Sequence, residues 1–258
     1  MLLVIDAGNT NTVFAVFDGD NLKGQWRLST NRTRTCDEYA ICLKQFMELS
    51  SLDIKDVKST IISTVVPQNL FQLKMLCRNY IGSDPIIIGE GNLKLNIKIL
   101  LDKPSEVGAD RLVNAIAAYN KFGGSVIIVD FGTATTFDVI GKEGEYLGGV
   151  IAPGINLSIN ALHAAAAKLP QVDVTKPDNV IGKSTVEAMQ SGVYWGYVGL
   201  IEGIVNNIKK EYGNKMTVLA TGGLAPLFAK ATKTIEHLES NLTIDGLKHI
   251  YDNKKKVK

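Results

Sequence analysis

The first five residues, Met1 to Ile5, are apolar, the next seven read Asp6-Ala7-Gly8-Asn9-Thr10-Asn11-Thr12, and residues 13–17 are apolar again. Short apolar runs bounded by turn residues predict buried strands at 2–6 and 12–17, with a third at 25–28. Asp18-Gly19 supplies the hairpin turn between the last two, because both residue types tolerate positive φ. Beyond residue 36 the period changes. Helical spacing predicts helices at 37–49 and 67–79, and apolar runs predict strands at 59–63 and 86–88, which is α/β alternation. A helix over 105–121 places Leu112, Ala115, Ile116 and Tyr119 on one face and stops at Gly123-Gly124. Further helices are predicted at 156–167 and 184–210. The second carries an apolar stripe from Val186 through Ile208 that suits a core, although Tyr194, Trp195 and Tyr197 are of the types enriched at interfaces. The apolar run 216–220 leads into Thr221-Gly222-Gly223, a strand-to-glycine turn that opens a helix at Leu224.

Residues 127–140 repeat the layout of the opening: an apolar strand, Asp-x-Gly, a hydroxyl-rich turn and a second apolar strand. Asp6 matches Asp130, Gly8 matches Gly132, and Thr12 is matched to Thr136. A repeat at this distance predicts two related domains, 1–121 and 122–258, each opening with the same strand-turn-strand unit. Either turn alone is equally a simple hairpin; the matched pair asks for a shared chemistry. A glycine turn lets backbone N–H groups approach an anion, and Asn and Thr add donors without charge, which suits phosphate. The aspartate has the wrong sign for phosphate itself. It fits if it holds Mg²⁺ or a monovalent cation that in turn meets the phosphates. Two such turns facing a common cleft would hold a nucleoside triphosphate.

Other nucleotide motifs fail. Gly182-Lys183-Ser184 resembles the end of a Walker A loop, but the glycine that must open it is Pro177, and no GxGxxG follows the first strand. Composition narrows the classes further. With 45% hydrophobic and 21% charged residues the chain is an ordinary folded protein, and a net charge of +2 gives no ground for nucleic-acid or membrane binding. The basic run at 254–256 reads as a solvated tail. The opening apolar stretch meets a carboxylate after five residues with no basic segment before it. It is therefore neither a signal peptide nor a membrane span, and a cytoplasmic location is expected. Cys36, Cys42 and Cys77 form no CxxC pair, and His163, His237 and His249 are scattered, so neither a disulfide framework nor a transition-metal site is expected.

Five elements in this order, the DxGNT turn at Asp6 to Thr10, Gly108-Ala109-Asp110-Arg111, the Asp130-Phe131-Gly132-Thr133 turn, Gly148-Gly149-Val150-Ile151-Ala152-Pro153-Gly154 and Thr221-Gly222-Gly223, resemble a type III pantothenate kinase over nearly the whole chain. The resemblance implies the superfamily of acetate and sugar kinases, heat-shock ATPases and actin: an α/β fold of two duplicated ribonuclease-H-like domains with a central nucleotide cleft. It implies transfer of the ATP γ-phosphate to the primary hydroxyl of pantothenate, the first step toward coenzyme A. By the same resemblance Asp6, Ala7, Gly8, Asn9, Thr10, Asn11, Thr12 and Val13 would hold the ATP phosphates, with Asp6 also placing Mg²⁺. Thr133 would touch ATP, and Asp130 would bind a monovalent cation, K⁺ or NH₄⁺. Leu101, Gly108, Ala109, Asp110, Arg111 and Thr185 would meet pantothenate, with Asp110 the proton acceptor and a homodimer the expected assembly. One position departs from the family pattern. Where an aromatic residue usually stands in a YDNP context, this chain reads Leu101-Asp102-Lys103-Pro104, so that position offers apolar surface and no hydroxyl.

The residues themselves fit a proton acceptor at 110, since phosphoryl transfer asks mainly for positioning and charge neutralisation. A helix N-terminus and the adjacent Arg111 are expected to keep Asp110 ionised at neutral pH. Arg111 equally suits clamping a carboxylate or phosphate. Two other classes remain: a kinase of the same fold acting on a sugar or small acid, and a nucleotide-sensing regulator without catalysis.

Overall fold

The computed structural model describes residues 1–256 apart from 92, 94, 167 and 214. The described chain divides into two compact units, the first comprising Met1–Asn96, Ser105–Ala117 and Thr243–Lys258, and the second Ile97–Pro104 and Ala118–Leu242.

In the first unit, strands β1 (Leu2–Ala7), β2 (Asn11–Asp18), β3 (Asn21–Ser29), β4 (Ser59–Thr64) and β5 (Ile86–Ile87) form a sheet in the order β3-β2-β1-β4-β5. β1 pairs antiparallel with β2 and β2 with β3, while β4 is parallel to both β1 and β5. Strand alternation sorts the side chains onto two faces. Leu3, Ile5, Phe14, Val16 and Ile62 pack against Tyr39, Leu43 and Met47 of helix α1 (Cys36–Leu49) and Leu73 and Leu76 of α2 (Pro67–Leu76). Helix α1 begins at a capping box: the Glu38 N–H donates to the Thr35 side chain while Glu38 accepts from the Thr35 N–H, a cap worth about 1 kcal/mol. Leu2, Val4, Ala15, Phe17 and Ile61 fill the other face. Val113 of α3 (Ala109–Phe122) and Ile244, Leu247, Ile250 and Tyr251 of a last helix, residues Leu242–Lys256, cover it.

The second unit repeats this plan. Strands β6 (Val126–Phe131), β7 (Ala134–Ile140), β8 (Tyr146–Pro153), β9 (Thr217–Gly222) and β10 (His237–Leu238) are ordered β10-β9-β6-β7-β8, with the same parallel and antiparallel senses at matching places. Even the irregularities coincide, at Val16/Phe17 between β2 and β3 and at Val139/Ile140 between β7 and β8. Its core joins Ile127, Val129 and Phe137 to Ile155 and Ile159 of α4 (Ile155–Ala165), to α5 (Thr185–Tyr212) and to Phe228 of α6 (Ala225–Ala229). The fold is thus the expected duplicated, ribonuclease-H-like α/β architecture.

Three sequence expectations change. The division at residue 121 assigned the end of the chain to the second half, whereas Leu242–Lys256, helix α7, belongs to the first unit because its apolar face closes the β1–β4 surface. The basic run at 254–256 is accordingly the end of that helix and not a tail. Finally, β8 forms through a glycine-containing stretch that had no strand reading. Residue 167, the expected end of the helix at 156–167, lies outside the described residues.

Candidate active site

Asp6 is the penultimate residue of β1, and the chain turns just after Ala7. The Gly8 N–H donates to the Asn11 carbonyl at 2.9 Å, while Asn9, Thr10 and Asn11 are exposed. The turn is braced from behind. Thr30, just past β3, donates its hydroxyl to the Gly8 carbonyl at 2.7 Å and lies 3.1 Å from the buried Thr12 hydroxyl, while its own N–H meets the Thr10 carbonyl at 2.9 Å. Ala7 is fully buried, and its carbonyl accepts from the Val65 N–H and the Thr64 hydroxyl, both at 3.2 Å. Exposed backbone on a rigid support is what an anion-binding turn requires.

The Gly108–Arg111 element sits against the same strand ends. A Cβ on Gly108 would lie 3.6 Å from Cγ1 of Val65 and only 2.6 Å from Oδ1 of Asp110, so glycine is needed to seat that carboxylate at the start of α3. Val65 in turn is tied to Ala7, so Asp110 and the Asp6 turn share one end of the first sheet. The Arg111 N–H donates to Oδ1 of Asp110 at 2.8 Å. Burial pushes the Asp110 carboxyl above the ordinary carboxylate value, outweighing the opposing pull of that N–H and of the Arg111 charge. This reverses the expected balance, in which the helix terminus and the arginine dominated. A raised value makes Asp110 a better proton acceptor than an ordinary aspartate.

In the second unit, Asp130 is the penultimate residue of β6 and the Gly132 N–H meets the Ala134 carbonyl at 3.1 Å. Strand register corrects one detail of the repeat. Thr12 pairs with Ala7 and Thr135 pairs with Phe131, so the second turn is one residue shorter and Thr135, not Thr136, occupies the place of Thr12. Gly154 stands where Thr30 does. A Cβ there would fall 2.0 Å from the Thr133 carbonyl oxygen, so no side chain can brace this turn from that position, and the buried Thr135 hydroxyl has no partner among the described residues. Gly222, at φ +93°, approaches from β9; a Cβ on it would lie 2.6 Å from the Phe131 carbonyl oxygen and 2.7 Å from Oδ1 of Asp130. The glycines of two separate sequence motifs therefore converge on the Asp130–Thr133 turn.

The remaining residues singled out in the sequence also lie in this unit. Leu101 packs over Gly148 of β8, where a Cβ would come within 3.4 Å of its Cδ2. The segment that carries Leu101 is held by bonds between the Tyr146 N–H and the Lys98 carbonyl (2.8 Å) and between the Leu100 N–H and the Tyr146 carbonyl (2.9 Å). The Tyr146 hydroxyl is fixed in turn by the buried Asp138 carboxylate at 2.6 Å. Thr185 is the first residue of α5, behind the Ser184 cap. No group of three or more His, Cys, Asp or Glu able to hold a metal occurs among the described residues.

Comparison with known proteins decides the family. The family model for type III pantothenate kinase matches residues 2–207. The chain belongs to the type III pantothenate kinases. It is 57% identical to the type III pantothenate kinase of Paramagnetospirillum magneticum over 97% of this chain and 96% of that one. It is also 53% identical to that of Caulobacter vibrioides over 97% of both. Solved structures share the fold at much lower identity. A protein assigned as a 2-dehydro-3-deoxygalactonokinase from Sinorhizobium meliloti matches with TM-score 0.60 at 12% identity over 98% of this chain and 96% of that one. The activator of 2-hydroxyisocaproyl-CoA dehydratase from Clostridium difficile, solved with bound ADPNP, matches with TM-score 0.55 at 12% identity over 100% and 98%.

Sequence reasoning passed over Thr30, Ser63 and the Asp138–Tyr146 pair. Each lies outside the glycine motifs, and only strand pairing reveals what it faces.

Proposed function

We propose that this chain phosphorylates the primary hydroxyl of pantothenate with ATP, the first step of coenzyme A synthesis, and that Asp110 accepts the hydroxyl proton. The observation that carries the assignment of the base is the convergence of the Asp6 turn and the half-buried Asp110 carboxylate on one end of a single sheet, in a chain of this family. The exposed turn at residues 8–11 receives phosphate oxygens on backbone N–H groups, and the Thr12–Thr30 brace keeps it from yielding. As the acceptor oxygen bonds to the γ-phosphorus and the bond to ADP breaks, the hydroxyl proton passes to Asp110. Arg111 offers a planar cation for the pantothenate carboxylate.

Asp6 would hold Mg²⁺ and Asp130 a monovalent cation such as K⁺. Both supply hard oxygen ligands beside a phosphate-binding turn, and the divalent ion neutralises charge on the phosphates when bound. Leu101 and Thr185 would complete the pantothenate contacts. We place the enzyme in the cytoplasm, as expected for a step of coenzyme A synthesis. Among the described residues no helix is long and apolar enough to cross a membrane. A homodimer fits the exposed apolar side chains that the second unit carries, Val150 and Ile151 on β8, Leu157 and Leu162 on α4, and Trp195 on α5.

The test is a coupled assay with ATP, Mg²⁺ and K⁺ against pantothenate and a panel of hexoses. Turnover is expected with pantothenate alone. Asp110→Asn is expected to lose 10²–10⁴-fold in kcat while still binding ATP; undiminished turnover in that variant would remove Asp110 from the mechanism.

A further inference from the structure

Most buried hydroxyls in folded proteins are hydrogen-bonded, because leaving one unpaired costs about 1–3 kcal/mol. Ser63 departs from that rule. It is 0% exposed, and its Oγ has no hydrogen-bond partner among the described residues. Its neighbour Thr64 shows what a structural hydroxyl does at this strand end, since Thr64 donates to the Ala7 carbonyl and accepts from the Val66 N–H.

The position of Ser63 gives the unpaired group a meaning. Ser63 on β4 pairs in register with Asp6 on β1. Alternation puts Ser63 on the face of Ile61 and Asp6 on the face of Leu2 and Val4, so the two side chains leave the sheet side by side, about 4.8 Å apart along the ladder. Two residues on, Val65 touches the position of Gly108 over which the Asp110 carboxylate lies. The second unit repeats the arrangement, with Asp130 on β6 in register with the buried hydroxyl residue Thr221 on β9. Each unit therefore pairs the aspartate of its glycine turn with a hydroxyl on the adjoining parallel strand.

We infer that Ser63 is a positioning residue for the divalent cation at Asp6, its hydroxyl holding one of the water molecules in the cation's shell. This rests on the reading of Asp6 as the cation's carboxylate. Mg²⁺ keeps several of its waters when it binds to one or two carboxylates and to phosphate oxygens, so hydroxyls that orient those waters are part of the site. Removing such an outer partner typically weakens metal binding by 10–100-fold.

The test is Ser63→Ala in the full chain, with Mn²⁺ as the probe, titrated by electron paramagnetic resonance in the presence of a non-hydrolysable ATP analogue. Mn²⁺ affinity is expected to fall about tenfold, while metal-free binding of the analogue is unchanged. Tm is expected to hold or rise, because a methyl group replaces an unpaired buried hydroxyl. Asp6→Asn serves as the control. If that variant loses Mn²⁺ affinity and Ser63→Ala does not, the inference about Ser63 fails and the first-turn reading stands. If neither loses affinity, both fail. A lower Tm with unchanged Mn²⁺ affinity would assign the hydroxyl to the fold alone and overturn the inference.

Discussion

Asp110 is held in a compromise between burial, which disfavours its charge, and the Arg111 N–H and guanidinium, which favour it. Because burial wins, the folded state binds the proton more tightly than the unfolded chain does. The contribution of this group to stability is therefore complete below the unfolded value of about 3.9 and is lost as pH rises through the folded one. Asp110→Asn should consequently melt at a higher temperature than the parent at neutral pH, with the gap closing toward acid, as thermal melts across a pH series would show. Such a loss of stability is what the proposed role as proton acceptor would entail. Gly222 is a second point of constraint. Gly222→Ala must accept a positive φ and displace either the Phe131 carbonyl or the Asp130 carboxylate, so it should cost about 1–3 kcal/mol in urea unfolding. If Asp130 holds a monovalent cation as proposed, the substitution should also raise the K⁺ concentration needed for activity. Asp6, Asp110 and Asp130 drew attention in the sequence because each stands in a glycine motif, whereas Ser63, a lone hydroxyl at a strand end, leaves no local pattern. The pairing of Thr12 with Thr136 failed because equal spacing in sequence hid a turn that is one residue shorter.

Among the elements, those with a clean period were readable. Helix α5 forms over 28 residues from its Ser184 cap to Gly213 at φ 75°, close to the predicted span. The buried face is offset from the expected stripe: Tyr194, Val198, Ile201 and Val205 are buried along with Tyr197, whereas Val186 is 41% and Trp195 37% exposed. Strand β8 was hidden because Gly148 and Gly149 weaken a strand pattern and Gly149, Val150 and Ile151 are all exposed. Helix α7 was hidden by Gly246, which in isolation argues against a helix. The structure explains that glycine: a Cβ would lie 2.6 Å from the Val113 carbonyl oxygen and 3.1 Å from the Ala117 Cβ, so α7 approaches α3 closely enough to exclude even a methyl group. Gly246→Ala should force the two helices apart and destabilise the protein by about 1–3 kcal/mol despite its better helix propensity. Chemical denaturation would measure the loss.

For the molecule as a whole, the duplication was legible from two short motifs, and the strand orders extend it to ten strands with matching irregularities. The assignment of segments to units was not legible, because the cohesion of α7 with the first sheet depends on packing across most of the chain length. At this scale the exposed apolar residues of the second unit give a test of assembly. Ile151, 64% exposed, should tolerate Asp with a stability change within about 0.5 kcal/mol in the monomer. If two copies associate through this face, Ile151→Asp should move the sedimentation coefficient from that of a dimer to that of a monomer. An unchanged dimer would place the interface elsewhere.

The return of α7 to the first sheet also orders events during synthesis. A ribosome making this chain releases residues 97–242, all that the second unit needs, before the helix that covers Leu2, Val4 and Ile61 has emerged. The half that begins first is thus completed after the second, and the sheet bearing Asp6 waits with one oily side only partly covered until residues 242–256 have been made.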